Sequence, residues 1–253
     1  EIMKNYIRVK NLSKSYKSNH EKITALENIS FDLKRGEFIT IAGPSGCGKS
    51  TLLHIIANLM EPSDGTVERT HDLSIEDKQS EMGLVFQQPV LFPWYSIIDN
   101  IIFPLKLLRG EKNGRERAMK LIEMLGIKGF EDKWPHELSG GMQQRASICR
   151  ALISNPSLLL MDEPFSSIDA LTRLKLTIDL QRIWEEEKLT IIFVTHNIEE
   201  AVALGDRVLV LTERPGSLIW EEKIELPRPR DRKTVASKLF QAHCNVIYEK
   251  LGF

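Results

Sequence analysis

A glycine-rich run in the first fifth of the chain has the residue types that bind phosphate groups. It fits the pattern G-x-x-x-x-G-K-[ST], with an apolar run before it and a helix-like run after it. Glycines let the backbone curl so that successive N–H groups point at phosphate oxygens, and the helix N-terminus adds the positive end of its dipole. The run is therefore predicted to bind a nucleoside triphosphate through Gly43, Pro44, Ser45, Gly46, Cys47, Gly48, Lys49, Ser50 and Thr51.

Two side chains of this run have specific chemistry. Lys49 supplies a mobile positive charge for the β- and γ-phosphates, and the Ser50 hydroxyl can ligate Mg²⁺. A glycine-rich turn that binds nothing is the alternative, but a strand, loop, lysine and serine in one register argue against it. The motif alone does not separate a kinase, a GTPase or a transport motor.

Two adjacent acids, Asp162 and Glu163, follow an apolar run that starts at Leu158. In an open parallel sheet, ligands bind beyond the carboxyl ends of the strands, where the phosphate-binding run is also expected. Asp162 is therefore predicted to hold Mg²⁺, directly or through water, and Glu163 to polarise an attacking water as base or orienting group. Taken alone, such a pair is more often a solvated turn. The phosphate-binding run favours the catalytic interpretation.

The elements that must position these residues alternate in the second half of the chain. Strands are predicted over residues 158–161, 189–194, 207–211 and 218–226, and helices over residues 171–187, 198–204 and 233–250. Wholly apolar strands separated by helices indicate a parallel sheet covered on both faces.

The first half of the chain is predicted to contain strands over residues 6–10, 28–33 and 38–42, and a helix over about residues 49–60. Helical periodicity then predicts a helical lobe over about residues 88–155, inserted in the main fold. Near the end, residues 226–231 are predicted to form an extended linker.

Composition limits the possible partners. The chain has 253 residues, 34 basic and 35 acidic side chains and a formal net charge of -1, which gives no indication of a nucleic-acid partner. The three distant cysteines lack metal-type spacing and are predicted to be reduced, buried thiols of a cytosolic protein. No apolar run approaches the roughly 20 residues needed to span a bilayer, so a membrane function would need another chain to cross it.

A third motif, Leu138-Ser-Gly-Gly-Met-Gln-Gln-Arg145, resembles the signature of the ABC ATPases, and the three motifs follow that family's order. Met142 departs from the Gln of many members, while the following Gln-Gln-Arg matches a common importer variant. The resemblance implies that Leu138, Ser139, Gly140 and Gly141 bind the γ-phosphate of an ATP held by a second copy, so that ATP binding produces a homodimer. Ser139 is also a suitable helix N-cap.

Four more residues match positions of that family. Tyr16 matches an aromatic residue that stacks on adenine, although by itself it could equally be an edge-strand tyrosine. Gln87 matches the residue that reaches Mg²⁺ and the attacking water. The segment Ser166-Ser-Ile-Asp169 resembles the loop that links the two active sites across the dimer, and His196 matches the switch histidine that contacts the γ-phosphate.

The resemblance implies an α/β fold: a P-loop NTPase parallel sheet core with an N-terminal antiparallel β subdomain and an inserted helical subdomain. In these terms residues 1–87 and 156–226 form the catalytic core with the β subdomain, residues 88–155 the helical subdomain and residues 227–253 a C-terminal helical tail. The cofactors implied are ATP and Mg²⁺.

The segment Val90-Leu-Phe-Pro-Trp-Tyr-Ser-Ile-Ile-Asp99 is rich in large apolar residues. It is either core of the helical lobe or a groove for a short helix of a membrane subunit. This segment and Leu226-Pro-Arg-Pro-Arg230 resemble the nitrate, sulfonate, taurine and pyrimidine-precursor importers. That resemblance implies transmembrane permease subunits as partners, an indirect solute-binding protein, a small anion or vitamin precursor as cargo, and a place on the cytoplasmic face of the cell membrane.

Two alternatives differ from an importer subunit. An ABC ATPase without a membrane partner, such as an iron–sulfur assembly ATPase, stays open. DNA-maintenance members carry a long coiled coil between the phosphate loop and the signature, and here the roughly ninety intervening residues leave no space for one. Ribosome-acting members usually carry two motif sets, and this chain has one. A small-molecule kinase would not explain residues 138–145.

Overall fold

This computed structural model describes residues 5–17, 22–69, 82–109, 114–166 and 168–253. The chain divides into two compact units, one formed by residues 1–72 with 190–253 and the other by residues 73–189. Among the described residues, no helix is long and apolar enough to cross a bilayer.

The first unit contains a three-stranded antiparallel sheet in the order β2-β1-β4, made of β1 (Asn5–Lys17), β2 (Lys22–Lys34) and β4 (Asp64–Arg69). Ile7, Val9 and Leu12 of β1 are buried, whereas Arg8 and Lys10 are exposed. This alternation buries one face of the sheet. The predicted strands over residues 6–10 and 28–33 are confirmed, and both are longer than predicted.

A second sheet of the first unit has the order β7-β3-β8-β9. Its strands are β3 (Phe38–Ala42), β7 (Thr190–Thr195), β8 (Arg207–Leu211) and β9 (Leu218–Lys223). The first three run parallel, as predicted, and β9 is antiparallel to β8. Every residue of β3 and β7 is buried, which matches their predominantly apolar sequences.

The helices of the first unit are α1 (Lys49–Ile56), α6 (Ile198–Leu204), α7 (Arg232–Val235) and α8 (Lys238–Lys250). The helix predicted over residues 49–60 ends early, because Asn58 adopts a left-handed conformation with φ of +57°. The single terminal helix predicted over residues 233–250 is wrong. The chain leaves the helix at Ser237, whose hydroxyl then accepts the Phe240 N–H and caps α8.

The second unit contains two parallel strands, β5 (Met82–Val85) and β6 (Leu158–Asp162). Its helices are α2 (Ile97–Arg109), α3 (Arg115–Met124), α4 (Gly140–Leu152) and α5 (Ala170–Glu187). Three of them lie between residues 88 and 155, where the periodicity predicts helices. The domain boundaries given above stay a prediction.

All three cysteines are free and buried, as predicted. Burial raises the pKa of the Cys149 thiol and raises the pKa of Cys244 to about 12. They act as small apolar side chains of the interior.

Candidate functional site

The glycine-rich run forms a tight loop between β3 and α1 in the first unit. Gly46 and Gly48 have φ angles of +78° and +105°, in the region that favours glycine. A Cβ added to Gly48 would lie 2.6 Å from Leu26 Cδ2 and 2.8 Å from the Ala25 carbonyl oxygen. The loop therefore needs glycine at position 48 for both backbone conformation and space, while Ser45 and Gly46 are exposed at its tip.

Lys49 begins α1 and turns back over the loop. Its ammonium group donates to the carbonyl oxygens of Gly43 at 2.9 Å and Pro44 at 2.8 Å, and the side chain is buried. A lysine held by the loop itself is a compact positive charge at the N-terminus of a helix, where the dipole also favours anions. This arrangement suits the terminal phosphates of a nucleotide.

Tyr16 of β1 lies beside the first turn of α1. Its hydroxyl is 3.2 Å from the Thr51 hydroxyl and 3.3 Å from Met60 Sδ, and Lys14 Nζ lies 5.5 Å from the centre of its ring. The side chain is 39% exposed. The structure thus brings Tyr16 and Thr51 together, with aromatic surface open to a flat ligand.

His196 is exposed in the turn between β7 and α6. The residues on either side of it are held by hydrogen bonds. The Thr195 hydroxyl accepts the Asn197 N–H at 3.0 Å and donates to Glu200 at 2.7 Å, and the Asn197 side chain caps α6 by accepting the Glu200 N–H. These bonds fix the direction in which His196 leaves the sheet.

In the second unit, Asp162 is the last residue of β6 and Glu163 follows it. Asp162 is 5% exposed, and Glu163 has a φ of +42°, which is uncommon for a residue other than glycine. The following turn is closed by the Ser166 N–H, which donates to the Glu163 carbonyl at 3.2 Å. Backbone strain of this kind is often found at functional sites, and the catalytic role of Glu163 stays a prediction.

The signature residues form the exposed N-terminus of α4. The Ser139 hydroxyl accepts the Met142 N–H at 3.3 Å, so Ser139 is the N-cap. A Cβ added to Gly140 would meet no atom of the described residues within 4 Å. Leu138 is buried just before the cap. The N-terminus of α4 therefore presents backbone N–H groups to an open space, which makes it a potential anion site.

Asp169 caps α5 by accepting the Thr172 N–H at 3.0 Å. This backbone bond holds the pKa of the Asp169 carboxyl below its usual range. A Cβ on Gly141 would lie 3.7 Å from Thr172 Cγ2, so the N-termini of α4 and α5 are neighbours. The signature and the predicted linking loop are thus brought together, while Ser167 of that loop lies outside the described residues.

Gln87 is exposed in the loop after β5. The preceding residue, Phe86, accepts a hydrogen bond at 3.0 Å from the side chain of Gln144, which is fully buried on α4. The Gln87 loop and the signature helix are therefore connected. Sequence reasoning missed Gln144, because a glutamine inside a helix gives no sign of which loop it binds.

The aromatic segment, residues 90–95, forms a cluster with Phe103 of α2. The Phe92 ring lies 4.9 Å from Phe103 and 5.5 Å from Trp94. Trp94 is 64% exposed and Val90 is 54% exposed, so the segment is partly core and partly an apolar surface. Its backbone is held by Asn100, which is fully buried and bonds to Phe92, Tyr95 and Ser96.

Among the described residues, no group of three or more His, Cys, Asp or Glu side chains could hold a metal ion. Mg²⁺ commonly needs only one or two protein oxygens, because water and substrate phosphates complete its shell. The oxygens of Ser50, Gln87 and Asp162 have the hard character that this ion prefers. Each of these side chains is therefore chemically suited to ligate Mg²⁺, and their joint role stays a prediction.

The loop and the strands around it define a P-loop NTPase fold. The profile of the family described as ABC transporter matches residues 26–166. An uncharacterized ABC transporter ATP-binding protein of Methanocaldococcus jannaschii is 47% identical over 234 residues, which cover 92% of this chain and 87% of that protein. The aliphatic sulfonates import ATP-binding protein SsuB of Bacillus subtilis is 43% identical over 221 residues, 87% of this chain and 86% of SsuB.

A solved ATP-binding cassette, described as a dimer in a post-hydrolysis state bound to ADP and Pi, superimposes with a TM-score of 0.76 at 37% identity. It covers 87% of this chain and 100% of the solved one. The chain belongs to the ABC transporter family, as an ATP-binding and ATP-hydrolysing subunit. The predicted fold class, family and enzyme class are confirmed.

Proposed function

We propose that this chain powers an ABC importer by closing a homodimer around ATP and reopening it after hydrolysis, while separate permease subunits carry the solute. The observation that carries the proposal is the pair of helix N-termini suited to anions, the phosphate loop at α1 and the signature at α4. One triphosphate would be bound by residues 43–51 of one copy and residues 138–141 of the other, because each motif offers only part of a phosphate shell.

Hydrolysis in this proposal depends on positioning and on neutralisation of charge. Lys49 would contact the β- and γ-phosphates, Glu163 would orient or deprotonate the attacking water, and His196 would contact the γ-phosphate. Tyr16 would stack on adenine, and Asp169 would connect the two sites. Ser50, Gln87 and Asp162 would hold Mg²⁺, which when bound neutralises charge on the phosphates.

The importer assignment rests on relatives and on the aromatic segment. Several relatives are named as aliphatic sulfonates import proteins. A small organic or inorganic anion, or a vitamin precursor, is accordingly the proposed solute, recognised by an external binding protein. The exposed Trp94 at the end of a rigid aromatic cluster is a suitable anchor for a short helix of the permease at the cytoplasmic face of the membrane.

Affinity purification from detergent-solubilised membranes of the source cells tests the partner. The expected result is recovery of a protein with several membrane spans, and loss of that protein with Trp94→Glu while ATP hydrolysis by the isolated subunit is unchanged. Trp134→Glu is the matched control, because Trp134 is also exposed in the second unit but is not part of the aromatic segment. Recovery of only water-soluble iron–sulfur proteins would instead favour the alternative ATPase.

A further inference from the structure

The segment after β9 was predicted to be an extended linker, but two of its arginines bind the C-terminal end of α6. Arg230 is 2% exposed, and its guanidinium donates to the carbonyl oxygens of Val202 at 2.7 Å and Gly205 at 2.6 Å. Arg228 donates to the Leu204 carbonyl at 2.5 Å and to the Asp206 carboxylate at 2.8 Å. The segment is therefore an anchor.

These bonds satisfy carbonyl groups at the C-terminal end of α6. The last carbonyl groups of a helix lack partners within it, and positive charge is favoured at that end. Here Arg228 and Arg230 satisfy the Leu204 and Val202 carbonyls and add that charge. Burial lowers the pKa of Arg230 to about 10, so the guanidinium stays charged at neutral pH and keeps its carbonyl partners.

The other end of α6 carries the turn with His196. The helix has only seven residues, a length of about 10 Å at 1.5 Å per residue. The Asn197 cap and the bond from Thr195 to Glu200 join that turn firmly to the first turn of the helix. A shift at Leu204 would therefore move His196 as well.

The C-terminal helix holds the same element from the side. Phe240, Cys244 and Ile247 of α8 pack in one buried cluster with Ile198 and Val202 of α6. The tail thus fixes α6 twice, by packing along its length and by arginine bonds at its end.

We propose that Arg230, together with Arg228, is a positioning residue for hydrolysis, which acts through α6 to hold His196 in its productive place. The inference rests on the proposed role of His196. It makes the C-terminal tail a requirement for turnover that does not touch the nucleotide. Arg230 has no expected role in ATP binding, since its guanidinium bonds to the carbonyl groups of Val202, Gly205 and Ile224, which lie outside the phosphate loop.

A double-mutant cycle in the full chain tests the proposal. Arg230→Met should lower kcat for ATP between about ten- and a hundredfold, because small displacements of a catalytic group have effects of that size, while KM and ATP affinity stay unchanged. Arg230→Lys should recover part of kcat, since an ammonium can still donate to the carbonyl groups. His196→Ala should lower kcat further, and the double variant should lose no more than His196→Ala alone.

Arg207→Met is the matched control. Arg207 is a half-buried arginine of the same unit, and its side chain bonds to Glu37, Glu221 and the Asp32 carbonyl but not to α6. It should lower thermal stability without a selective loss of kcat. If Arg230→Met does not fold, Arg228→Met replaces it in the cycle, because that position is less buried.

The outcomes are distinguishable. Normal kcat in Arg230→Met and Arg228→Met, or losses that add to that of His196→Ala, would overturn the positioning role while leaving the proposed function intact. Normal turnover in His196→Ala would overturn the role of His196, and with it this inference.

Discussion

Replacing Asn100 with leucine should destabilise the second unit and loosen the aromatic segment. The Asn100 amide accepts the Phe92 N–H at 2.7 Å and donates to the carbonyls of Phe92, Tyr95 and Ser96 at 3.0–3.1 Å. Leucine has a similar volume but can make none of these bonds. The partner groups lie in a part-buried loop, where water replaces a lost bond only incompletely.

The size of the effect follows from those bonds. A hydrogen bond contributes about 1 kcal/mol net to the free energy of unfolding, and a buried donor or acceptor left without a partner costs about 1–3 kcal/mol. The amide has two N–H groups for three carbonyls, so one of these bonds is shared and the loss is less than four full bonds. The free energy of unfolding should fall by about 3 kcal/mol, which is roughly a hundredfold in the unfolding equilibrium.

Urea unfolding followed by tryptophan fluorescence measures the change, and hydrogen exchange of the Phe92 amide locates it. The midpoint should fall, and exchange at Phe92 should accelerate by about the same hundredfold if it occurs by local opening. Lys106→Met is the control, since it removes only the half-exposed ion pair to Asp99 and should change stability by less than about 0.5 kcal/mol. An unchanged midpoint together with a still protected Phe92 amide in Asn100→Leu would show that Asn100 does not stabilise the segment.

Three other predictions follow from the described residues. Gly48→Ala should abolish ATP binding in titration calorimetry, because its Cβ would clash with Leu26 and Ala25. Gly46 also has a positive φ, but a Cβ there would meet no atom of the described residues, so Gly46→Ala should weaken binding only mildly. Equal losses would contradict the role of the clash. Glu163→Gln should bind ATP normally but lower kcat by about a hundredfold or more, and normal turnover would remove Glu163 from its role. Burial raises the pKa of the Asp179 carboxyl, so ionised Asp179 destabilises the folded state at pH 8. Asp179→Asn should therefore raise Tm at pH 8 but not at pH 3, which lies below the unfolded pKa of about 4, where the carboxyl is protonated in both states. A gain at both pH values would contradict this direction.

Local pattern was enough to predict the strands that precede the predicted phosphate-binding residues. Residues 38–42 and 158–162 are wholly buried strands; the first leads into the glycine-rich loop and the second ends in Asp162. These segments are short, apolar and followed by a loop motif, so few other conformations would satisfy their backbone and bury their side chains. The contact between the Tyr16 and Thr51 hydroxyl groups could not be predicted in this way, while the predicted contact of Tyr16 with a nucleotide stays a prediction.

Features that depend on distant partners could not be predicted. Arg228 and Arg230 each follow a proline in a polar stretch, which is typical of an exposed linker. Both side chains instead bond to carbonyl groups more than twenty residues earlier in the chain. Asn100 looks like an ordinary polar residue of a helix, and only the folded loop shows its bonds. In both cases a buried polar group is stabilised by backbone atoms, which leave no pattern in the side chains.

The central claim is that ATP joins two copies through the phosphate loop of one and the signature of the other. Sedimentation of Glu163→Gln with ATP and Mg²⁺ tests it most directly, with Ser139→Arg added in the same background as the second sample. The expected masses are that of two chains with ATP, that of one chain without ATP, and that of one chain with ATP bound when Ser139 is replaced. A single-chain mass for Glu163→Gln saturated with ATP, or a dimer that persists with Ser139→Arg, would contradict it.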